Sequence, residues 1–171
     1  MKRPDPKVGL VVRYDYLWHD EKMKGRQEGA KDRPCAIVQA VQQGQDGKPS
    51  VLLAPITHTP PNNKSEGVEI PYKVTQNLGL DDQRQWIKTT EVNRVAWDDA
   101  GITPAKKNQW EYGRLPKGLF DQTRQEMQQN ARVRKVKQVK RDVDQQEALK
   151  PSQQQNQSRI RGQQRGEGEE L

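Results

Sequence analysis

Two short segments carry the side chains best suited to chemistry, Lys31-Asp32-Arg33-Pro34 and Pro55-Ile56-Thr57-His58. An arginine presents a planar fork of donors that matches a phosphate, and a threonine hydroxyl adds one more. A histidine beside them, with an ordinary pKa of about 6.5, is placed to give or take a proton near neutrality. Arg33 and Thr57 therefore form a candidate phosphate-binding pair, with His58 as a candidate third member of the set. Spacing alone leaves a plainer reading open, in which Arg33 pairs with Asp32 or Glu28 and Thr57 satisfies a strand end. His58, likewise, could stack on a base or simply occupy its Pro-rich loop.

The surrounding elements decide whether these groups meet. Residues 8–18, VGLVVRYDYLW, read as a strand rich in β-branched and aromatic residues. The charged loop HDEKMKGRQEGAKD follows, then a second strand over roughly 34–42 and the turn segment GQDGKP. A third strand, SVLLAPIT, ends at Thr57. If the second and third strands pair as a hairpin, the entry of one lies beside the exit of the other, and Arg33 and Thr57 share one end of a sheet. Further on, GVEIP reads as a short strand, VTQNLGL as a helical turn stopped by glycine, and RQWIKTTEVNRVAW as one or two strands. Many short strands without crossover helices predict a compact antiparallel barrel or sandwich, not a parallel α/β sheet.

Pro116 suits the first turn of a helix, and Leu119, Phe120, Thr123 and Met127 form a stripe at helical spacing. The spacing of Val133, Val136, Val139 and Val143 extends that helix as a solvated or partner-binding arm, and a Gln-rich, disordered end is expected after it. The expected division is 1–130 as the folded unit and 131–171 as a basic, Gln-rich extension or tail.

Composition sets limits on function. Only 30% of residues are hydrophobic, and no aromatic residue follows Phe120, so the core must be built from the first two-thirds. A net charge of +7 suits a polyanionic partner such as nucleic acid, although excess Lys and Arg can also merely solvate a surface. The single cysteine, Cys35, lies in an apolar run and reads as a small core residue; with no disulfide framework, a reducing cytoplasm is expected. Two histidines and one cysteine make no convincing zinc site, and no segment reads as a membrane span. Trp86 and Trp97 read as core residues in preference to base-stacking platforms.

KDRPCAIV followed by VLLAPITHT, with GLVVRYDYLW before them and YGRLP plus an amphipathic helix after, resembles the MazF/PemK family of toxin endoribonucleases over roughly residues 7–130. The resemblance implies a mainly β, α+β fold with small helices: an SH3-like β-barrel of the MazF/PemK/CcdB type with a C-terminal helix. It implies a homodimer that cleaves single-stranded RNA without metal or other cofactor, leaving a 2′,3′-cyclic phosphate and a 5′-hydroxyl. It further implies neutralisation by a small acidic antitoxin, with operator DNA bound only as a complex with that antitoxin. The family's catalytic arginine and threonine fall on Arg33 and Thr57. His58 stands where serine is frequent, and Thr90 stands where some members carry an acidic base, with Glu91 alongside as the possible proton acceptor. Arg26, Lys31, Arg84 and Lys88 are the expected RNA phosphate contacts. Two other classes stay in view: a non-catalytic CcdB-like gyrase inhibitor, since fold does not fix function, and a regulatory nucleic-acid-binding module dominated by the basic 132–141 segment.

Overall fold

The computed structural model describes residues 1–41 and 47–141. In chain order the elements are β1 (Leu10–Tyr14), α1 (His19–Met23), β2 (Arg33–Val41), β3 (Ser50–Thr57), a 3-10 turn (Lys64–Glu66), β4 (Gly67–Glu69), α2 (Tyr72–Leu78), β5 (Trp86–Lys88), β6 (Glu91–Ala96), β7 (Ile102–Thr103), β8 (Glu111–Arg114), α3 (Lys117–Arg132) and β9 (Lys137–Lys140). The fold is mainly β with small helices. Among the described residues nine strands form one sheet that does not close on itself. Its path runs β4-β5-β3-β2-β1-β7, with β6 on β3, β8 on β1 and β9 on β6. Every pairing is antiparallel except that of β9 with β6.

Local chemistry explains most of these elements. The run SVLLAPIT alternates between two buried faces, as a central strand must. α2 stops where Gly79 takes a left-handed φ of 72°. There Gly79 N–H donates to Gln76 and Leu80 N–H to Thr75, at 3.0 and 2.9 Å, which satisfies the last carbonyls in a Schellman closure. α3 starts directly after Pro116, whose ring needs no hydrogen-bonded N–H.

Alternation along the strands builds two apolar layers. One, beneath α2 and α3, gathers Val11, Ala36, Ala54, Ile56, Ile87, Val92, Leu78 and Leu119. The other gathers Tyr14, Tyr16, Cys35, Ile37, Leu53, Val95, Trp97 and Ile102. Each large side chain fully buried in either layer contributes about 1.5–3 kcal/mol of transfer free energy. Cys35 belongs to the second layer, where burial pushes its thiol pKa up and keeps it protonated.

The C-terminal part departs from the sequence expectation. The helix does not run through Val133 and Val139: α3 ends at Arg132, Arg134 turns the chain at a φ of 60°, and β9 follows. Valines at helical spacing here serve a strand, with Val139 buried and Val133 exposed. Arg141, in a segment expected to be a solvated extension, is only 7% exposed. Its guanidinium donates to the Asp15 carbonyl (2.7 Å), the Asn93 Oδ1 (3.2 Å) and the Gln27 carbonyl (3.2 Å), and lies 5.3 Å over the Tyr14 ring. Residues 131–141 therefore complete the sheet. The first half of the GQDGKP turn, Val143 and the whole Gln-rich tail lie outside the described residues.

Candidate active site

β2 and β3 pair in the register that the hairpin reading requires. Cys35 faces Pro55, and continuing two residues sets Arg33 across from Thr57. Thr57 in turn faces Trp86, and Trp86 faces Glu69. On the other side Arg33 faces Tyr14. Directly opposed residues of antiparallel strands project to one face, so Tyr14, Arg33, Thr57, Trp86 and Glu69 make a single cross-strand row. Lys88, two residues from Trp86, shares that face. So does Glu91, by the alternation that sends Asn93 and Val95 into the Tyr16 layer.

Arg33 is held by an aromatic ring and not by a carboxylate. Its guanidinium lies 4.9 Å from the Trp18 ring, and Trp18 packs edge-on against Tyr16 at 5.1 Å. Of the two carboxylates that could neutralise it, Asp32 and Glu28, Asp32 is bonded instead to Arg13 Nε at 3.1 Å. Arg33 Nε is buried with no hydrogen-bond partner among the described residues, an unusual state for a charged donor. The Thr57 hydroxyl oxygen accepts the Thr59 N–H at 3.1 Å, so it does cap the strand end, while its own O–H stays a donor.

The loop after β1 delivers Trp18. Glu21 accepts the Trp18 N–H (3.2 Å), starting α1. Farther along, Gly29 presses against the Tyr16 carbonyl so closely that a Cβ would sit 2.2 Å from that oxygen, which requires glycine. Glu91 closes the other side: its Oε1 accepts the Tyr16 O–H (3.0 Å) and the His19 N–H (3.1 Å). Burial raises the Glu91 pKa above the usual carboxylate range, opposed by those bonds and by the charge of Lys88.

His58 stands apart from this row. Side chains alternate along β3, so the residue after Thr57 departs toward the opposite side, with Ile56. There it lines a cleft of about 260 Å³ with Lys31, Asp32, Pro34, Leu80, Asp81 and Tyr112, the wall also including Arg33. His58 Nε2 lies 2.7 Å from Asp81 Oδ2, and Gln85 Nε2 donates to the other oxygen of Asp81 at 3.0 Å.

The expected phosphate contacts also scatter. Lys88 lies on the Arg33 face and Lys31 in the cleft, while Arg26 approaches Glu21 at 3.9 Å in the loop after α1. Arg84 stacks over Trp86 and is bonded to Glu69. Among the described residues no cluster of three or more His, Cys, Asp or Glu is placed to hold a metal ion, and no helix is long and apolar enough to cross a membrane. Neither the profiles of known protein families nor the curated proteins match this chain.

Trp18, Asp81 and Arg141 are site-shaping residues that sequence reasoning passed over. Trp18 was legible only as the end of a strand, and Asp81 as one of two acids after a glycine stop. Arg141 sat unmarked in a run of similar cations.

Proposed function

We propose that the chain is a MazF/PemK-like endoribonuclease that cleaves single-stranded RNA without metal, on the face that carries Arg33 and Thr57. The observation that carries this reading is the Arg33 guanidinium, stacked on Trp18 and free of Asp32; extending the β2–β3 register two residues past Cys35–Pro55 brings it to the strand end that carries Thr57. In the proposed step the ribose 2′-oxygen attacks the adjacent phosphorus and the 5′-oxygen leaves. The departing 5′-oxygen takes a proton from water, which leaves a 2′,3′-cyclic phosphate and a 5′-hydroxyl. Charge grows on the non-bridging oxygens, where Arg33 and the Thr57 O–H supply preformed donors. Glu91, whose pKa burial raises, takes the 2′-hydroxyl proton. His58 shares the cleft wall with Arg33 but is left out of the reacting set, because its Nε2 is engaged by Asp81.

The reading extends to an SH3-like barrel type, a homodimer, a cytoplasmic setting and neutralisation by a small acidic antitoxin. Incubating the purified full chain with a long RNA in EDTA tests the activity. Cleavage products ending in cyclic phosphate support it. Intact RNA, where a known toxin of this kind cuts, overturns it. If Arg33→Ala and Thr57→Ala both remained fully growth-inhibitory, a non-catalytic inhibitor would replace it.

A further inference from the structure

Trp86 faces Thr57 directly across the sheet, yet its side chain is almost hidden, at 7% exposure. The guanidinium of Arg84 lies over the ring, 5.1 Å from its centroid. Arg84 is held there by Glu69, with Nε to Oε2 at 2.8 Å and Nη2 to Oε1 at 2.9 Å. Glu69 is itself the cross-strand neighbour of Trp86 on its other side. Lid and tether both stand in solvent, with side chains 73% and 42% exposed. Ion pairs in such a setting contribute little net stability and are screened by salt.

A phosphate diester offers Arg84 the same two-pronged geometry as Glu69 does. An indole one strand away from Thr57 is also the kind of surface on which unpaired bases stack, without regard to sequence.

We propose that Arg84 and Glu69 form a latch over Trp86. Single-stranded RNA draws Arg84 from Glu69 to a backbone phosphate, and the uncovered indole stacks the base of a nucleotide next to the cleaved bond. The latch rests on the nuclease reading and assigns the place of one unpaired base of that single-stranded substrate, on the Trp86 indole.

A short 2′-O-methyl RNA oligonucleotide, which has no attacking hydroxyl, separates binding from cleavage. Titrated into the full chain, it quenches tryptophan emission, and Trp86→Phe, which keeps an aromatic core residue, removes most of that quench. Glu69→Gln tightens binding about fivefold when Arg84 is present and less than about twofold in an Arg84→Ala background. Equal gains in the two backgrounds would mean that Glu69 acts only by repelling the strand, and the latch would be wrong; so would an undiminished quench in Trp86→Phe. Failure to bind the oligonucleotide at all overturns the latch together with the nuclease reading. Binding with these couplings, but no cutting of ordinary RNA, sinks the nuclease reading alone.

Discussion

Around the end of β3, cations meet two kinds of partner. On the Thr57 side, Arg33 lies on Trp18 and its donors are not spent on a carboxylate. On the His58 side, charges are already matched: His58 with Asp81, and Asp32 with Arg13. An aromatic ring fixes an arginine in place while leaving its edge free to donate. A carboxylate fixes it by consuming the donors a ligand would use. Arg84, held by a ring and a carboxylate together, stands between the two conditions.

The largest effect should separate the two sides in rate. Arg33→Ala and Thr57→Ala each lower RNA cleavage about 100- to 1000-fold, whereas His58→Ala stays within a few-fold of the parent. A collapse in His58→Ala with an intact fold would return the histidine to the chemistry.

Next, Arg141→Ala strips donors from the Asp15 and Gln27 carbonyls and from Asn93, and costs about 2–4 kcal/mol in urea unfolding. Amide exchange should quicken in the loop beside Trp18 more than in the cleft; a uniform change would show that Arg141 does not serve one side.

A pH series resolves Glu91. Burial raises its folded-state pKa, so the native chain holds that proton more tightly than the unfolded chain does. The stability this gives is whole below the model-peptide value of 4.5 and is lost as pH rises through the folded-state value. The advantage of the parent over Glu91→Gln should therefore shrink as pH climbs from 4.5; a flat difference would contradict the raised pKa.

The smallest effect belongs to the cleft. Asp81→Ala, breaking a half-exposed pair, should change unfolding free energy by about 1 kcal/mol or less.

Much of this was legible from local pattern. The third strand could be bounded because an apolar run ends at a proline and a hydroxyl, and α2 could be ended because Gly79 suits a left-handed cap. Hairpin arithmetic alone put the start of β2 beside the end of β3, as the Cys35–Pro55 pairing shows. The same alternation separates Thr57 from His58, yet a candidate set grouped by sequence proximity ignores it. α1 escaped notice because it has only five residues and buries none of them, so it leaves no apolar period to read. β7 has two residues and β8 has four, too short to show a period. β9 imitated a helix because four valines spaced by three or four fit that template, whereas tertiary pairing with β6 decided the outcome. Arg141 offered no signal, since burial of a cation depends on acceptors contributed by Asp15, Gln27 and Asn93.

The parallel joining of β9 to β6 also bears on when the protein becomes competent. A parallel neighbour cannot form by a tight hairpin, and this one must wait for the whole of α3 to fold back. Translation supplies Arg33 and Thr57 early, but the carbonyls of Asp15 and Gln27 that steady the loop beside them gain their Arg141 donors only after residue 141 is made. The face that carries Arg33 would thus be synthesised loosely held, and would tighten only as β9 docks.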